Sequence, residues 1–235
     1  AQQAYLKASN SDGGSDSFDR GDYFGHSVAI AGDTIVVGAY LEDSGSDGVN
    51  GVQTDNGVSN AGAAYVFTRS GGTWSQQAYL KASNSQAFDG FGVSVAIADK
   101  TIVVGADGED GDSDGVDGNQ GNGAIDAGAA YVFTRSGSIW SQQAYIKASN
   151  SEASDLFGYS VAIAGEAIVV GAIYEASGSD GVNGNQSDNS AINAGAGYVF
   201  TRSGGTWSQQ AYLKASNSDA GDEFGASVAM SGETV

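Results

Sequence analysis

The chain has 235 residues with 28 Asp and Glu against 9 Lys and Arg, so its formal net charge is −19 at pH 7. This charge disfavours nucleic acid and anionic membrane surfaces, which bind through cationic side chains, and favours cations and basic partners. The absence of cysteine excludes disulfides, thiolate metal sites and cysteine nucleophiles. No apolar run approaches the roughly 18 residues of a membrane span, so we expect no membrane insertion.

Near-identical repeats organise the chain into a single array over residues 1–235. The string Gln-Gln-Ala-Tyr-(Leu/Ile)-Lys-Ala-Ser-Asn-Ser begins at Gln2, Gln76, Gln142 and Gln209. Self-similarity at a long period is the sequence signature of a repeat architecture. The units are residues 2–75 (repeat 1), 76–141 (repeat 2), 142–208 (repeat 3) and 209–235 (a partial repeat 4).

Each complete unit predicts four antiparallel strands. The runs concerned are rich in β-branched and aromatic residues, and short turns separate the first strand from the second and the third from the fourth. No long stretch shows a 3.6-residue apolar period, so we expect no helix. In chain order the first copy predicts strands over Ser27–Ala31, Thr34–Ala39, Ala63–Ser70 and Thr73–Ala82. The three complete sheets are expected near Ser27–Ala82, Ser94–Ala148 and Ser160–Ala215.

A four-stranded antiparallel sheet repeated along a chain is the unit of a β-propeller, in which neighbouring blades stack to bury what one sheet cannot. The expected fold is therefore all-β, with three complete β-propeller-like blades of four antiparallel strands plus a split blade. Phe24 and Trp74, with their equivalents, are expected to lie between blades.

The first and last residues predict the two parts of the split blade. The pattern of a fourth strand covers Gln2–Ala8, and Thr234-Val235 corresponds to the start of a second strand. Because unpaired strand edges attract other strands, we expect completion by pairing, preferably between chains. A longer polypeptide, two chains forming one ring and an open fibre all remain compatible with this pattern.

The motifs Phe-Gly-x-Ser-Val-Ala at Phe24 and Ile-Val-Val-Gly-Ala at Ile35 recur along the chain and resemble the FG-GAP repeat family, which includes the integrin α-subunit head propeller. The resemblance implies a propeller fold, a secreted or cell-surface location and a role in adhesion or ligand binding. The sequence departs from the family where a motif proline is replaced by Tyr40, Asp107 or Ile173. A tight turn also replaces the family's calcium loop between the first and second strands, so the family's calcium sites are not transferred to this chain.

The strand plan places 24 of the 28 acidic residues in loops at one edge of the sheets. We call this edge, formed by the loops before Phe-Gly and after Val-Val-Gly-Ala, the acidic rim. Calcium binds six to eight oxygen ligands and is the natural cation for such a surface. The best local pattern comprises Asp110, Asp112, Asp114 and Asp117, and the weaker equivalents are Asp43 and Asp47 in repeat 1 and Asp180 in repeat 3. A calcium site and a solvated polar loop are both open for these residues.

Four lysines recur on the fourth strand, and we expect them to be exposed and to oppose edge-to-edge pairing. They are Lys7, Lys81, Lys147 and Lys214.

Catalysis finds little support, because the chain has one histidine, no Gly-x-Ser-x-Gly motif and no phosphate loop. A glycosidase-like carboxylate pair is the one enzymatic reading left open. We therefore expect a structural or adhesive extracellular repeat protein that self-associates through split-blade completion, into fibres or a multi-chain propeller. The alternative is a calcium-dependent propeller that recognises carbohydrate or protein on the acidic rim.

Overall fold

A computed structural model describes residues 2–10, 21–232 and 234. Within them the chain forms twelve strands in three four-stranded sheets, and no helix. The strands of the first sheet are β1 (Val28–Ala31), β2 (Thr34–Ala39), β3 (Ala63–Ser70) and β4 (Thr73–Leu80). Those of the second are β5 (Ser94–Ala98), β6 (Thr101–Ala106), β7 (Ala129–Ser136) and β8 (Ile139–Ile146). Those of the third are β9 (Phe157–Ala164), β10 (Ala167–Ala172), β11 (Ala196–Ser203) and β12 (Thr206–Leu213). Below, repeats 1, 2 and 3 denote the structural units that contain these sheets, each of which runs from one Phe-Gly motif to the next: residues 24–90, 91–156 and 157–223.

Every sheet is an antiparallel meander in which each strand pairs with the next one along the chain. Ala31 lies opposite Thr34, and Ser70 lies opposite Thr73, so both hairpins turn through two residues. Gly32 and Gly71 have positive φ angles of 56°, as such tight turns require. The predicted all-β fold, with three four-stranded sheets and no helix among the described residues, is confirmed.

The alternation of side chains gives each sheet one face of large residues and one of small residues. In the first sheet Val37, Tyr65 and Tyr79 lie opposite one another on what we call the aromatic face. Val36, Val66 and Ala78 occupy the other side, which we call the aliphatic face. The period of two along a strand fixes this separation, and the same registers recur in the other sheets.

Neighbouring repeats stack the aliphatic face of one sheet on the aromatic face of the next. The aliphatic face of repeat 1 forms one buried cluster with Phe91, Tyr131 and Phe133 of repeat 2. The aliphatic face of repeat 2 likewise packs on the aromatic face of repeat 3. Large side chains thus face small ones across each junction, an arrangement that permits close packing. Trp140 Nε1 also donates to Gln77 Oε1 of the preceding repeat at 2.9 Å.

The Phe-Gly motif fixes the separation between repeats. The Phe91 ring packs edge-on against Tyr131 at 5.4 Å between ring centroids, and Phe91 is fully buried. Ser27 Oγ of repeat 1 donates to the Gly92 carbonyl of repeat 2 at 2.7 Å. A Cβ on Gly38 would lie only 2.0 Å from the same carbonyl oxygen, so this strand position must be glycine. The prediction that the motif phenylalanine and the tryptophan lie between blades is confirmed for the two internal junctions.

The segment 2–10 differs from its prediction. A fourth strand was expected over Gln2–Ala8, but residues 2–8 form no strand or bridge in the structure. Leu6 and Ala8 instead pack against the aromatic face of repeat 1. The sequence pattern of a fourth strand is present, but a fourth strand in the other copies pairs with the third strand of its own sheet. No such strand among the described residues lies beside residues 2–8, so their backbone has no partner for a β-ladder.

Candidate functional site

The acidic rim is present, because its two classes of loop lie side by side. Asp47 Oδ1 in the loop after β2 accepts the Ser85 backbone N–H at 2.9 Å, and Ser85 belongs to the loop that leads to the next Phe-Gly motif. The rim is not simply a solvated row of carboxylates, however. Three of its glutamates and two of its aspartates are buried; these are Glu42, Glu109, Glu175, Asp89 and Asp155.

The recurring lysines explain this burial, and the expectation that they are exposed is wrong for three of them. The Lys81 and Lys147 side chains are 0 % exposed, and Lys214 is also buried. Their ammonium groups lie 3.1, 3.0 and 2.8 Å from the buried glutamate of the same repeat. Loops of the rim cover the end of the fourth strand, so the lysine can lie there only with a carboxylate partner. Lys7 alone is exposed, as expected.

Each buried glutamate accepts hydrogen bonds on both carboxylate oxygens, and the set is most complete in repeats 2 and 3. Glu109 Oε2 accepts from Lys147 Nζ at 3.0 Å and from the Gly111 backbone N–H at 3.0 Å. Glu109 Oε1 accepts from the Tyr145 hydroxyl at 2.8 Å and from Asn84 Nδ2 at 2.9 Å. The carboxylate therefore retains charge-assisted bonds on both oxygens although it is removed from water.

The asparagine links one repeat to the next. Asn84 follows the fourth strand of the first sheet, yet it binds Glu109 of the second. Its Oδ1 also accepts from the Tyr131 hydroxyl at 2.7 Å. We call Asn84, Glu109, Tyr131, Tyr145 and Lys147 the junction cluster. Its equivalents are Asn10, Glu42, Tyr65, Tyr79 and Lys81 at the first sheet, and Asn150, Glu175, Tyr198, Tyr212 and Lys214 at the third. The first of these clusters differs in that the Tyr79 hydroxyl makes no hydrogen bond with any described residue.

Burial shifts the ionisation of the groups in and around this cluster. It raises the pKa of Tyr131 well above its usual value, so the phenol keeps the proton that it donates to Asn84. Burial also lowers the pKa of Lys147, an effect that the adjacent Glu109 carboxylate opposes. Asp89 and Asp155 lie near the clusters without an ammonium group of their own, and burial raises the pKa of each to about 7.

The predicted calcium ligands point to separate backbone amides. In repeat 2, Asp110, Asp114 and Asp117 each accept one backbone N–H through Oδ1, at 2.8, 2.9 and 2.9 Å. Their equivalents Asp43, Asp47 and Asp180 do the same at 2.7, 2.9 and 2.8 Å. Asp112 is exposed and packs beside Gly123. Among the described residues no three carboxylate or histidine side chains are close enough to hold a metal. The structure thus gives all of these residues except Asp112 a structural role as acceptors of backbone N–H groups, and calcium binding stays a prediction.

The comparison with known families agrees with this repeated geometry. A family model described as FG-GAP repeat matches residues 1–67, 74–133, 140–200 and 207–235. The chain belongs to the FG-GAP repeat family. A comparison with curated proteins finds no similar sequence.

FG-GAP repeats are typical of extracellular or surface proteins. In this FG-GAP chain no described segment forms an apolar helix of membrane-spanning length. Sequence reasoning missed the junction cluster, although a signal was available. One glutamate stands three residues after Val-Val-Gly-Ala in every complete repeat, as Glu42, Glu109 and Glu175, and each copy also has the fourth-strand lysine that pairs with it.

The buried ion pair yields a stability prediction. Lys147→Met leaves Glu109 buried without its counter-charge, so we expect the free energy of unfolding to fall by about 3–5 kcal/mol. Urea denaturation measures the change. Lys7→Met, at the exposed equivalent, should alter it by less than about 0.5 kcal/mol. Equal losses of unfolding free energy in the two variants would contradict the assignment of Lys147 and Glu109 as a buried ion pair.

The raised aspartate pKa values yield a pH prediction. The folded chain holds protons on Asp89 and Asp155 up to about pH 7, whereas unfolded aspartates release them near pH 4. These groups therefore favour folding at acid pH, and their contribution is lost as the pH rises towards 7. Asp89→Asn/Asp155→Asn should flatten the fall of the melting temperature between pH 5 and pH 8. The exposed pair Asp55→Asn/Asp219→Asn changes net charge equally and should leave the slope unchanged.

Asp117 allows the calcium prediction to be tested without disturbing the fold. Asn50 and Asn183 accept the same backbone bond in the other repeats, so Asp117→Asn should not alter stability in chelator. If calcium binds this loop, CaCl2 should raise the melting temperature of the wild type more than MgCl2 does, and the variant should lose part of that increment. Identical responses of the two proteins would overturn the prediction.

Proposed function

We propose that this FG-GAP chain is a non-catalytic extracellular structural or adhesive module that self-associates by stacking the repeats of one copy on those of another. The observation that carries the proposal is a pair of exposed apolar side chains of β1 on the aromatic face of repeat 1. Val28 and Ile30 are 59 % and 62 % exposed, whereas the equivalent Val161 and Ile163 of repeat 3 are each 9 % exposed. In repeat 2 the equivalent Val95 is 9 % exposed and Ile97 is partly buried, so a preceding repeat covers these positions in both of the other sheets.

The opposite end of the array offers the complementary surface. A cleft of about 450 Å³ lies between Val169 and Leu213 of the third sheet and the segment 223–229. Phe224 borders this cleft and is 37 % exposed, whereas the equivalent Phe91 and Phe157 are fully buried. At the internal junctions this volume is filled by the aromatic face of the next repeat.

A second copy of the chain is the occupant that matches this surface. Its first sheet carries the side chains that fill the two internal junctions, so the contact between copies would continue an interface already present twice within the chain. The contact is head-to-tail, and it produces a ring if the rotation closes and a fibre if it does not. Split-blade completion by segment 2–10, in which Tyr5 is exposed, would accompany this stacking.

A non-catalytic role is supported by the use of the acidic residues. Both oxygens of each buried glutamate accept structural hydrogen bonds, and all the predicted calcium ligands except Asp112 accept a backbone N–H. A catalytic carboxyl needs a free oxygen that faces substrate. Calcium-dependent binding of carbohydrate or protein at the rim is the alternative, and the Asp117→Asn comparison distinguishes it.

Sedimentation velocity over a range of protein concentrations tests the proposed assembly. The wild type should form larger species as concentration rises, and Val28→Asp/Ile30→Asp should weaken association at least tenfold. Both side chains are exposed, so the fold should survive. Val52→Asp/Ile125→Asp alters two similarly exposed loop residues, 61 % and 65 %, that stay exposed where the next repeat is already stacked, so it should associate like the wild type. A wild type that stays monomeric at about 100 μM, or equal effects of the two variants, would overturn the proposal.

A further inference from the structure

The hairpin turns at the end opposite the acidic rim carry one arginine per repeat, stacked on a tryptophan. Arg69, Arg135 and Arg202 lie 5.6, 5.4 and 5.1 Å from the ring centroids of Trp74, Trp140 and Trp207. The stacking holds each guanidinium in one orientation. Its remaining donors therefore point in a fixed direction near the turn between the first and second strands.

In repeats 1 and 3 a carboxylate from that turn neutralises the arginine. Arg69 Nε donates to Asp33 Oδ1 at 2.7 Å, and Arg69 Nη2 lies 2.6 Å from the same oxygen. Arg202 forms the corresponding pair with Glu166 through both Nε and Nη2.

Repeat 2 departs from this pattern. Lys100 occupies the position of Asp33 and Glu166. The turn sequence here is Asp99-Lys100, whereas the other two repeats have a glycine followed by an acidic residue. Arg135 consequently has no ion pair within 4 Å among the described residues. Its Nε is buried and has no hydrogen-bond partner, and Nη1 makes only a 3.5 Å contact with Thr34 Oγ1. A buried donor without an acceptor is unfavourable, and an external acceptor would relieve it.

The unpaired arginine borders a cleft between repeats 1 and 2. The cleft has a volume of about 500 Å³, and its polar lining comprises Asp33, Thr34, Thr68, Arg69, Asp99, Lys100 and Arg135. Arg69 engages Asp33, so Lys100 and Arg135 outweigh Asp99 in the remaining charge. A locally positive cleft is unusual on a chain of net charge −19.

We propose that this cleft binds an oxyanion, the carboxylate or sulfate group of a small acidic ligand, between Arg135 and Lys100. The carboxylates of Asp33 and Glu166 show where such a group sits in the other repeats, against Nε and Nη2 of the stacked arginine. The buried Thr34 hydroxyl lies beside the same guanidinium and supplies a further donor. The site uses side chains from two repeats, so it requires the stacked arrangement but not association between copies.

The exchange of one turn residue between repeats tests the proposal. Titrations with sulfate, acetate and glucuronate, each at constant ionic strength set with chloride, would be followed through the Arg Nε–Hε resonances of ¹⁵N-labelled protein. The wild type should show a saturable shift of the Arg135 resonance. Lys100→Glu, which recreates the acid–arginine pair of repeat 3, should weaken binding at least tenfold. Glu166→Lys removes the acid from repeat 3 and should create a second responsive resonance at Arg202.

The same experiment identifies the ligand class and can refute the site. A stronger response to glucuronate than to acetate indicates a sugar acid, whereas equal responses indicate recognition of the oxyanion group alone, and both support the proposal. Lys100→Glu should also raise the melting temperature, because Arg135 Nε gains an acceptor. No saturable shift up to about 100 mM anion in the wild type, or unchanged binding in Lys100→Glu, would overturn the proposal.

Discussion

The structure depends on one constraint: the carboxylate of Glu109 is buried, so each of its oxygens must find donors. Lys147 comes from the same sheet, whereas Asn84 comes from the preceding repeat. A buried ion pair adds little net stability compared with apolar residues of the same size, because both ions lose their hydration. Its effect is on the specificity of docking, because any arrangement that leaves one of the buried charges without its partner loses about 3–5 kcal/mol of stability. The cluster therefore defines which segment of one repeat must dock on the next.

Apolar packing supplies the area, and the junction cluster supplies the register. The aliphatic face of one sheet could slide along the aromatic face of its neighbour with only a modest loss of contact. The junction cluster prevents this, together with two features at the Phe-Gly motif: the Ser27 bond to the Gly92 carbonyl, and the close approach of that carbonyl to Gly38. The repeats are thus stacked by nonspecific forces and positioned by a few polar contacts at both ends of the sheets.

Much of the fold could be predicted from the sequence, because its signals are local. Turn pairs such as Gly71-Gly72 and period-two alternation determine strand pairing without reference to distant residues. The burial of Lys81 could not be read from that alternation, because it depends on a loop that folds over the strand end and carries Glu42 from 39 residues earlier. A lysine on a terminal strand is usually exposed, and only its pairing with a repeated glutamate indicates otherwise.

The calcium prediction illustrates the same limit at the candidate site. Closely spaced acids such as Asp110, Asp114 and Asp117 match the composition of a cation-binding loop, but composition does not show where each carboxylate points. Each carboxylate accepts a different backbone N–H, one of them from Ser151 in the loop that leads to the next Phe-Gly motif. The unpaired state of Arg135 could not be predicted from the sequence either. It becomes clear only in the folded turns, where Asp33 and Glu166 bind the equivalent arginines and Lys100 takes their place.

A double-mutant cycle between Asn84 and Glu109 tests the central claim most directly. The free energy of unfolding would be measured by urea denaturation for Asn84→Ala, Glu109→Gln and the double variant. Asn217→Ala serves as a control, because Asn217 is the exposed equivalent and makes no side-chain hydrogen bond among the described residues. If the cluster joins the repeats, the coupling energy should be about 1–3 kcal/mol and the control should be neutral. Additive losses, within about 0.5 kcal/mol, would contradict the account.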